Sequence, residues 1–265
     1  MPKAMPDFNA MVRVYERLAE PLTGQFCQRA AMLSGVRRGD RVIDVATGTG
    51  ALALSAAAEG ARVLATDIAP AMVARTAERL SPFPECEARV MDSASLDAED
   101  ESFDAAFSIF GVMLFAAWRE SLAELVRVVR PNGSVVVAAW PDRVAKPMVV
   151  LNDVFCRVFP DRSLSAGIDM KEWSETSLHC AMIESGCSDA TVAVCEAVQS
   201  APSVDALTEQ FDPLFRFAPG YGALSDEERA RLMPPLKAAF QAYALADGSC
   251  RLPSSALIAV GRKPG

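Results

Sequence analysis

The stretch RVIDVATGTGALA, residues 41–53, decides how this chain folds. RVIDVA (41–46) is an apolar run of strand character with Asp44 near its end. Gly48 and Gly50 follow at once, where a chain leaving a strand must turn tightly and let another group touch its backbone. GALALSAAAEG (50–60) then reads as a helix, rich in alanine and leucine and stopped by Gly60. A strand, a glycine turn and a helix in thirteen residues predict the opening of an α/β unit.

Gly48, Gly50 and Ala53 fit G-x-G-x-x-[G/A], a spacing that dinucleotide sites share with sites for other adenosine-bearing cofactors. The amides of the following helix would point at the same spot. Alone, the glycines are a weak signal, but their neighbours sharpen it. RVLATD (62–67) and EARVMD (87–92) read as the next two strands, so Asp44, Asp67 and Asp92 all fall at strand ends. A carboxylate at the end of the second strand can accept both hydroxyls of a ribose. Strand-end aspartates also cap turns in ordinary structure, yet three beside one glycine loop point to a binding edge.

The alternation continues outward. PAMVARTAERL (70–80) is a helix with Pro70 suited to its first turn, and FDAAFSIF (103–110) is a fourth strand. WRESLAELVRVVR (118–130) places Leu122, Leu125, Val126 and Val129 on one helical face. PNG (131–133) ends it before a fifth strand, SVVVAAW (134–140). Strands this apolar, separated by helices, predict a doubly wound, mainly parallel sheet with ligands at its carboxyl edge.

Beyond residue 140 the rhythm changes. Residues 141–174 and 201–254 read as helical insertions forming a cap, and 1–40 as N-terminal helices. A helix (174–187), a strand (188–198) and a last strand (254–263) complete the core, which takes in 41–140, 175–200 and 255–265 of one domain. SDEE (225–228) is a capping box in which Ser225 and Glu228 satisfy each other's amides, and Pro234-Pro235 is expected to interrupt the helix it starts.

Composition bounds the function. The chain has 265 residues, 51% of them hydrophobic, and a net charge of −8. That excludes global disorder, and the lack of a basic block argues against nucleic acid as a partner. The apolar runs are far short of the ~18 residues of a membrane span, and no signal-peptide pattern opens the chain. Seven cysteines without a C-x-x-C pair fit reduced thiols in a cytoplasmic protein.

As an ordered set, VIDVATGTG, VLATDIAPAMV, ARVMDSASL, FDAAFSIFGVMLF and LAELVRVVRPNGSVVVAAW resemble the class I S-adenosylmethionine-dependent methyltransferases. The resemblance is close over about residues 36–140 and looser over 175–197 and 255–262. It implies a seven-stranded sheet of order 3-2-1-4-5-7-6 with strand 7 antiparallel. It also implies S-adenosylmethionine as cofactor, S-adenosylhomocysteine as product, and no metal. Residue by residue, it gives Asp44 and the backbone of Ala46, Thr47, Gly48 and Gly50 to the methionine part. It gives Asp67 to the ribose, Ile68 and Met72 to the adenine surround, Asp92 and Ser93 to the adenine amino group, and Ser108 to the methionine end. Ala46-Thr47 stands where many members have Gly-Cys. FGVMLFAAW (110–118) lacks the histidines and acids some members carry there, so it names no acceptor class.

The expected reaction is methyl transfer to an O, N or C atom of a small, apolar or aromatic molecule by a monomer or homodimer. Tyr15, Trp140, Phe215, Phe217 and Tyr221 are the expected acceptor-lining residues, with residues 8–22 a helix able to close over the cofactor. No catalytic residue is identified. His179, the one histidine, falls on a flanking helix, and Asp142, Tyr15 and Tyr221 are weaker candidates for a base. Two other readings share the glycine loop: a nicotinamide-dependent oxidoreductase, which should carry a Tyr-x-x-x-Lys or comparable group not found here, and a non-catalytic cofactor-binding subunit.

Overall fold

A single seven-stranded sheet of order β3-β2-β1-β4-β5-β7-β6 organises the computed structural model, which describes residues 7–165 and 171–265. Residues 1–6 of the expected N-terminal helical region and 166–170 of the first expected insertion lie outside the described residues. The chain runs α1 (Phe8–Val14), a π-turn (Tyr15–Ala19), α2 (Glu20–Ser34), β1 (Arg41–Val45), α3 (Ala51–Ala58), β2 (Arg62–Asp67), α4 (Pro70–Leu80) and β3 (Glu87–Val90). It continues through β4 (Phe103–Ile109), a 3-10 turn (Val112–Leu114), α5 (Trp118–Val128), β5 (Val129–Ala139), α6 (Lys146–Val158) and α7 (Glu175–Glu184). The last part is β6 (Asp189–Ala201), α8 (Val204–Phe215), α9 (Pro219–Gly222), α10 (Asp226–Phe240) and β7 (Cys250–Arg262). Strands β1 to β5 pair in parallel, and β7 runs antiparallel between β5 and β6. The sheet order and the antiparallel strand are those the resemblance implied.

Both faces of the central strands β1, β2, β4 and β5 are buried, which is why they read as apolar runs, while the edge strand β3 is mostly exposed. Successive strand residues point to opposite faces. Ile43, Val135 and Val137 meet Leu122 and Leu125 of α5 and Leu178 and Met182 of α7. Val42, Val136 and Ala138 meet Phe26 and Ala30 of α2 and the small residues of α3. A third apolar cluster joins α6, α8, α9, α10 and the far ends of β6 and β7 into a cap beside the sheet's carboxyl edge.

Three element boundaries differ from the sequence reading. Helix α5 stops at Val128, and β5 begins at Val129 rather than at residue 134. The PNG segment lies inside that strand as an irregularity, with Asn132 at φ 62° and a register shift opposite Phe103–Ala105. Helix α10 runs unbroken through Pro234 and Pro235, because Leu232, Leu236 and Phe240 on one face are all buried in the cap. Strands β6 and β7 extend as a paired hairpin to Ala201↔Cys250, so residues 250–254 belong to the sheet and not to an insertion. Among the described residues no helix is long and apolar enough to cross a membrane. All seven cysteines are free thiols.

Packing on that face of α10, rather than intrinsic propensity, holds the helix across its two prolines. Leu236→Ala removes a fully buried side chain from it. The expected loss is about 2–5 kcal/mol, read as a lower midpoint in chemical denaturation.

Candidate cofactor and acceptor site

The loop between β1 and α3 is bent far out of ordinary backbone. Ala46, Gly48 and Gly50 all have positive φ, at 57°, 58° and 89°. Two buried carboxylates hold the bend. Asp67, at the end of β2, accepts the Gly48 amide on Oδ2 and the Ala69 amide on Oδ1, each at 2.9 Å. Asp44, near the end of β1, accepts the Thr47 hydroxyl and, at 3.2 Å, the Ala53 amide at the start of α3. The Thr47 amide donates to Thr66 of the neighbouring strand at 2.9 Å. A Cβ at Gly50 would stand 2.8 Å from Cγ2 of Thr76, so α4 closes the loop from behind.

Burial raises the pKa of both aspartates. Asp44, with 2% of its surface exposed, is pushed up to about 7. Asp67 is raised in the same direction by burial, against the lowering effect of its amide donors.

The end of β4 approaches the same loop. Ser108 is fully buried, and its Oγ accepts the Val112 amide at 3.0 Å. A Cβ at Gly111 would lie 2.4 Å from Cβ of Ala46, so only glycine lets the two loops touch. Phe110, just before it, has φ 59°, a sparsely populated conformation for an aromatic residue. Ala46 and Phe110 thus place two strained, non-glycine residues at the ends of adjacent strands, as binding sites often do.

Beyond Asp67 the surface opens. Ile68 is 56% exposed, although it sits between buried Asp67 and buried Ala69. Met72 is buried below it. Asp92 lies two residues past the end of β3, exposed, with Oδ1 accepting the Ala94 amide at 2.9 Å. The hydroxyls of Ser93 and Ser121 are 2.8 Å apart.

The N-terminal arm covers the glycine loop. A Cβ on Gly48 would be 3.5 Å from the Tyr15 ring, so the phenol lies directly over the turn. Tyr15 opens the π-turn that links α1 to α2, and such bulges reorient single side chains. Two arginines of α4 fasten the arm. Arg75 makes a two-pronged pair with Glu16 at 2.8 and 2.6 Å. Arg79 does the same with Glu20 at 2.7 Å on both prongs, and also donates to the Thr49 carbonyl in the loop. Asn9 Oδ1 accepts the Ala71 amide at the start of α4. Arginine's planar fork suits such paired carboxylate contacts. No sequence motif marked these pairs, since their partners are 59 residues apart.

The expected acceptor residues separate. Phe217 is half-buried in a small apolar seam with Phe8, Met11 and Tyr15 of the arm and Ala69 and Met72 beside the loop. Phe215 and Tyr221, expected beside it, are fully buried in the cap's own core instead. The reason is helical phase: Phe215 follows Phe211 by one turn and faces inward, while Phe217 lies past the helix end. Trp140 is also buried, stacked on Phe110 at 3.8 Å with Phe26 edge-on to both rings. His179 is exposed on α7 and bonds the Ala190 carbonyl of β6 at 3.0 Å, away from the glycine loop. Asp142 is exposed past β5.

Residues 43–137 match the family model described as a methyltransferase domain. A Mycobacterium tuberculosis protein, itself uncharacterized, is 35% identical over 127 residues, 48% of this chain and 46% of that one. A demethylmenaquinone methyltransferase of Thermus thermophilus is 39% identical over 118 residues, 43% of this chain and 53% of that one. The matched stretch thus spans about half the length of these curated relatives. Among solved structures, a phosphoethanolamine N-methyltransferase 2 of Haemonchus contortus, in complex with S-adenosylhomocysteine and phosphomonomethylethanolamine, superposes with a TM-score of 0.60. The identity is 17%, covering 100% of this chain and 62% of that one, which speaks for the fold.

The raised Asp44 pKa has a consequence for stability. Between about pH 4, where a free aspartate titrates, and about 7, the folded chain holds a proton on Asp44 that the unfolded chain has lost. The stabilisation from that proton is complete below the lower pH and disappears as pH rises through about 7. Thermal midpoints of the ligand-free protein should therefore fall across this window. In Asp44→Asn that part of the slope should vanish. An equal slope in both proteins would show that Asp44 is ionised throughout.

Residues 43–137 are thus similar to a methyltransferase domain, and the sheet order is the one that the resemblance to the class I, S-adenosylmethionine-dependent methyltransferases implies.

Proposed function

We propose that this chain transfers the methyl group of S-adenosylmethionine to a small, mostly apolar acceptor. The observation that carries this reading is the glycine loop held between buried Asp44 and Asp67, with Ile68 left exposed beside them. An exposed isoleucine next to two buried carboxylates fits a ligand with a flat apolar part and adjoining hydroxyl and ammonium groups. That is the chemistry of the cofactor, so the residues present fit it.

In this reading Asp67 binds the ribose hydroxyls with the lone pairs its two amide donors leave free. Ile68 and Met72 pack beside the adenine, with Asp92 and Ser93 at its amino group. Asp44, the backbone of Ala46, Thr47, Gly48 and Gly50, and Ser108 surround the methionine end. The cofactor supplies a methyl group already activated on a cationic sulfonium. What the chain adds is alignment, which alone is worth roughly 7–11 kcal/mol in well-held systems. Tyr15 over the loop excludes water from that end. No side chain of this edge is assigned as a general base, and His179 lies on the flank, bonded to the Ala190 carbonyl.

The apolar character of the acceptor rests on the seam formed by Phe8, Met11, Leu214 and Phe217, which borders the loop under the arm. The name of the Thermus relative, a methyltransferase of demethylmenaquinone, supports a small apolar molecule of that kind.

Calorimetry tests the reading. S-adenosylmethionine or S-adenosylhomocysteine should bind, and NAD(H) should not bind comparably. Asp67→Ala should weaken cofactor binding by about 10–150-fold, the equivalent of one lost charge-assisted bond, while the protein still melts cooperatively. The reverse ranking of ligands, or an unchanged affinity in the variant, would remove the assignment.

A further inference from the structure

Two polar side chains on the β6–β7 hairpin are buried without partners. Gln199 is 6% exposed and Ser254 2% exposed. Among the described residues neither Gln199 Oε1 nor Ser254 Oγ has a hydrogen-bond partner. The amide nitrogen of the same glutamine is engaged, donating to the Leu18 carbonyl at 3.3 Å.

The two residues are neighbours. Ser254 pairs with Ala197, and Gln199 pairs with Leu252, so they sit diagonally on one face of the hairpin. That diagonal lies within side-chain reach.

Their place in the fold is specific. Strand β5 ends at Ala139, opposite Leu257. Ser254 and Gln199 therefore stand beyond the carboxyl edge of the sheet, where ligands of doubly wound folds bind. On their face, Ala197 and Ala256 join the cluster of Phe26 and Trp140, while Ala201 and Leu252 join the cap. The pair is thus at the junction of sheet and cap. The π-turn closes it from the third side through Leu18, and the same turn lays Tyr15 on Gly48.

Buried polar atoms are nearly always satisfied, because leaving one unpaired forfeits its hydration for nothing. Two such atoms on one face of the hairpin, in apolar surroundings, are both open to a shared polar partner. Its chemistry follows from theirs. Gln199 Oε1 only accepts, since its nitrogen is committed to Leu18. Ser254 Oγ can donate. One hydroxyl satisfies both, donating to Gln199 and accepting from Ser254.

We propose that Gln199 and Ser254 are specificity-determining residues that bind a hydroxyl group of the acceptor, the rest of which lies against the apolar surfaces of the arm and cap. The proposal rests on the methyl-transfer reading for the word acceptor, but the site itself is a binding property of the hairpin. It commits the acceptor class to small apolar alcohols or phenols.

The test compares 2-naphthol with naphthalene, which differ by that hydroxyl alone, in fluorescence titrations of the full chain with and without S-adenosylhomocysteine. Wild type should bind 2-naphthol about tenfold more tightly or better, the value of one good hydrogen bond. Gln199→Met and Ser254→Ala should each reduce that preference to less than about threefold. Neither should change S-adenosylhomocysteine affinity by more than about twofold, and both should melt cooperatively. Two variants on different strands guard against a folding artefact in one. Equal affinities in wild type, or binding of neither compound, would overturn the proposal. A preference kept by both variants would also overturn it and give the pair to an internal water. If S-adenosylhomocysteine itself fails to bind wild type, the methyl-transfer reading falls, while the hydroxyl preference still stands or fails on its own titrations.

Discussion

The bond from the Gly48 amide to the Asp67 carboxylate is the contact on which the site depends. It ties the turn after β1 to the end of β2, so two strands and one loop share a single fixed corner. Without it the positive-φ backbone of Ala46, Gly48 and Gly50 would have little reason to persist, since the alanine's conformation is unfavourable by itself. Asp44 provides the second anchor, from the opposite end of the loop. The cost is two carboxylates in poor solvent, visible in their raised pKa values. In the proposed reading, that cost is offset by a preformed set of acceptors for a ligand rich in hydroxyl and ammonium groups.

The arm completes the corner from above. Its grip is electrostatic and directional: Glu16 and Glu20 face Arg75 and Arg79, one helical turn apart on α4. These pairs are partly shielded from solvent, and the two-pronged geometry makes them stronger than ordinary surface pairs. The π-turn between α1 and α2 lets one short segment serve both halves of the site. Tyr15 reaches the glycine loop, and the Leu18 carbonyl accepts from Gln199 on the hairpin. Arm, loop and hairpin are therefore joined by direct contacts.

The sequence made the corner legible because its signals are local. Two glycines after an apolar run, and aspartates ending successive strands, need only a few residues to be recognised. The sheet order came through the resemblance of the ordered motifs rather than through any one strand. The cap was read less well, for physical reasons. Phe215, Phe217 and Tyr221 lie within seven positions, yet which of them faces inward is set by where α8 ends and what packs on it. Pro234 and Pro235 looked like a break, but burial of Leu232, Leu236 and Phe240 outweighs two missing amide bonds. Gln199 and Ser254 gave no signal at all. A polar residue on a strand reads as solvent-facing unless the opposite face is known to be covered.

In the proposed reading the cofactor sits in the corner at the ends of β1, β2 and β4, roofed by the arm. Hydrogen–deuterium exchange with and without S-adenosylhomocysteine tests it most directly. Added protection is expected at the amides of residues 46–53, 67–73 and 8–20, with no change in the cap helix 226–240. Protection confined to other segments, or none at saturating ligand, would contradict it.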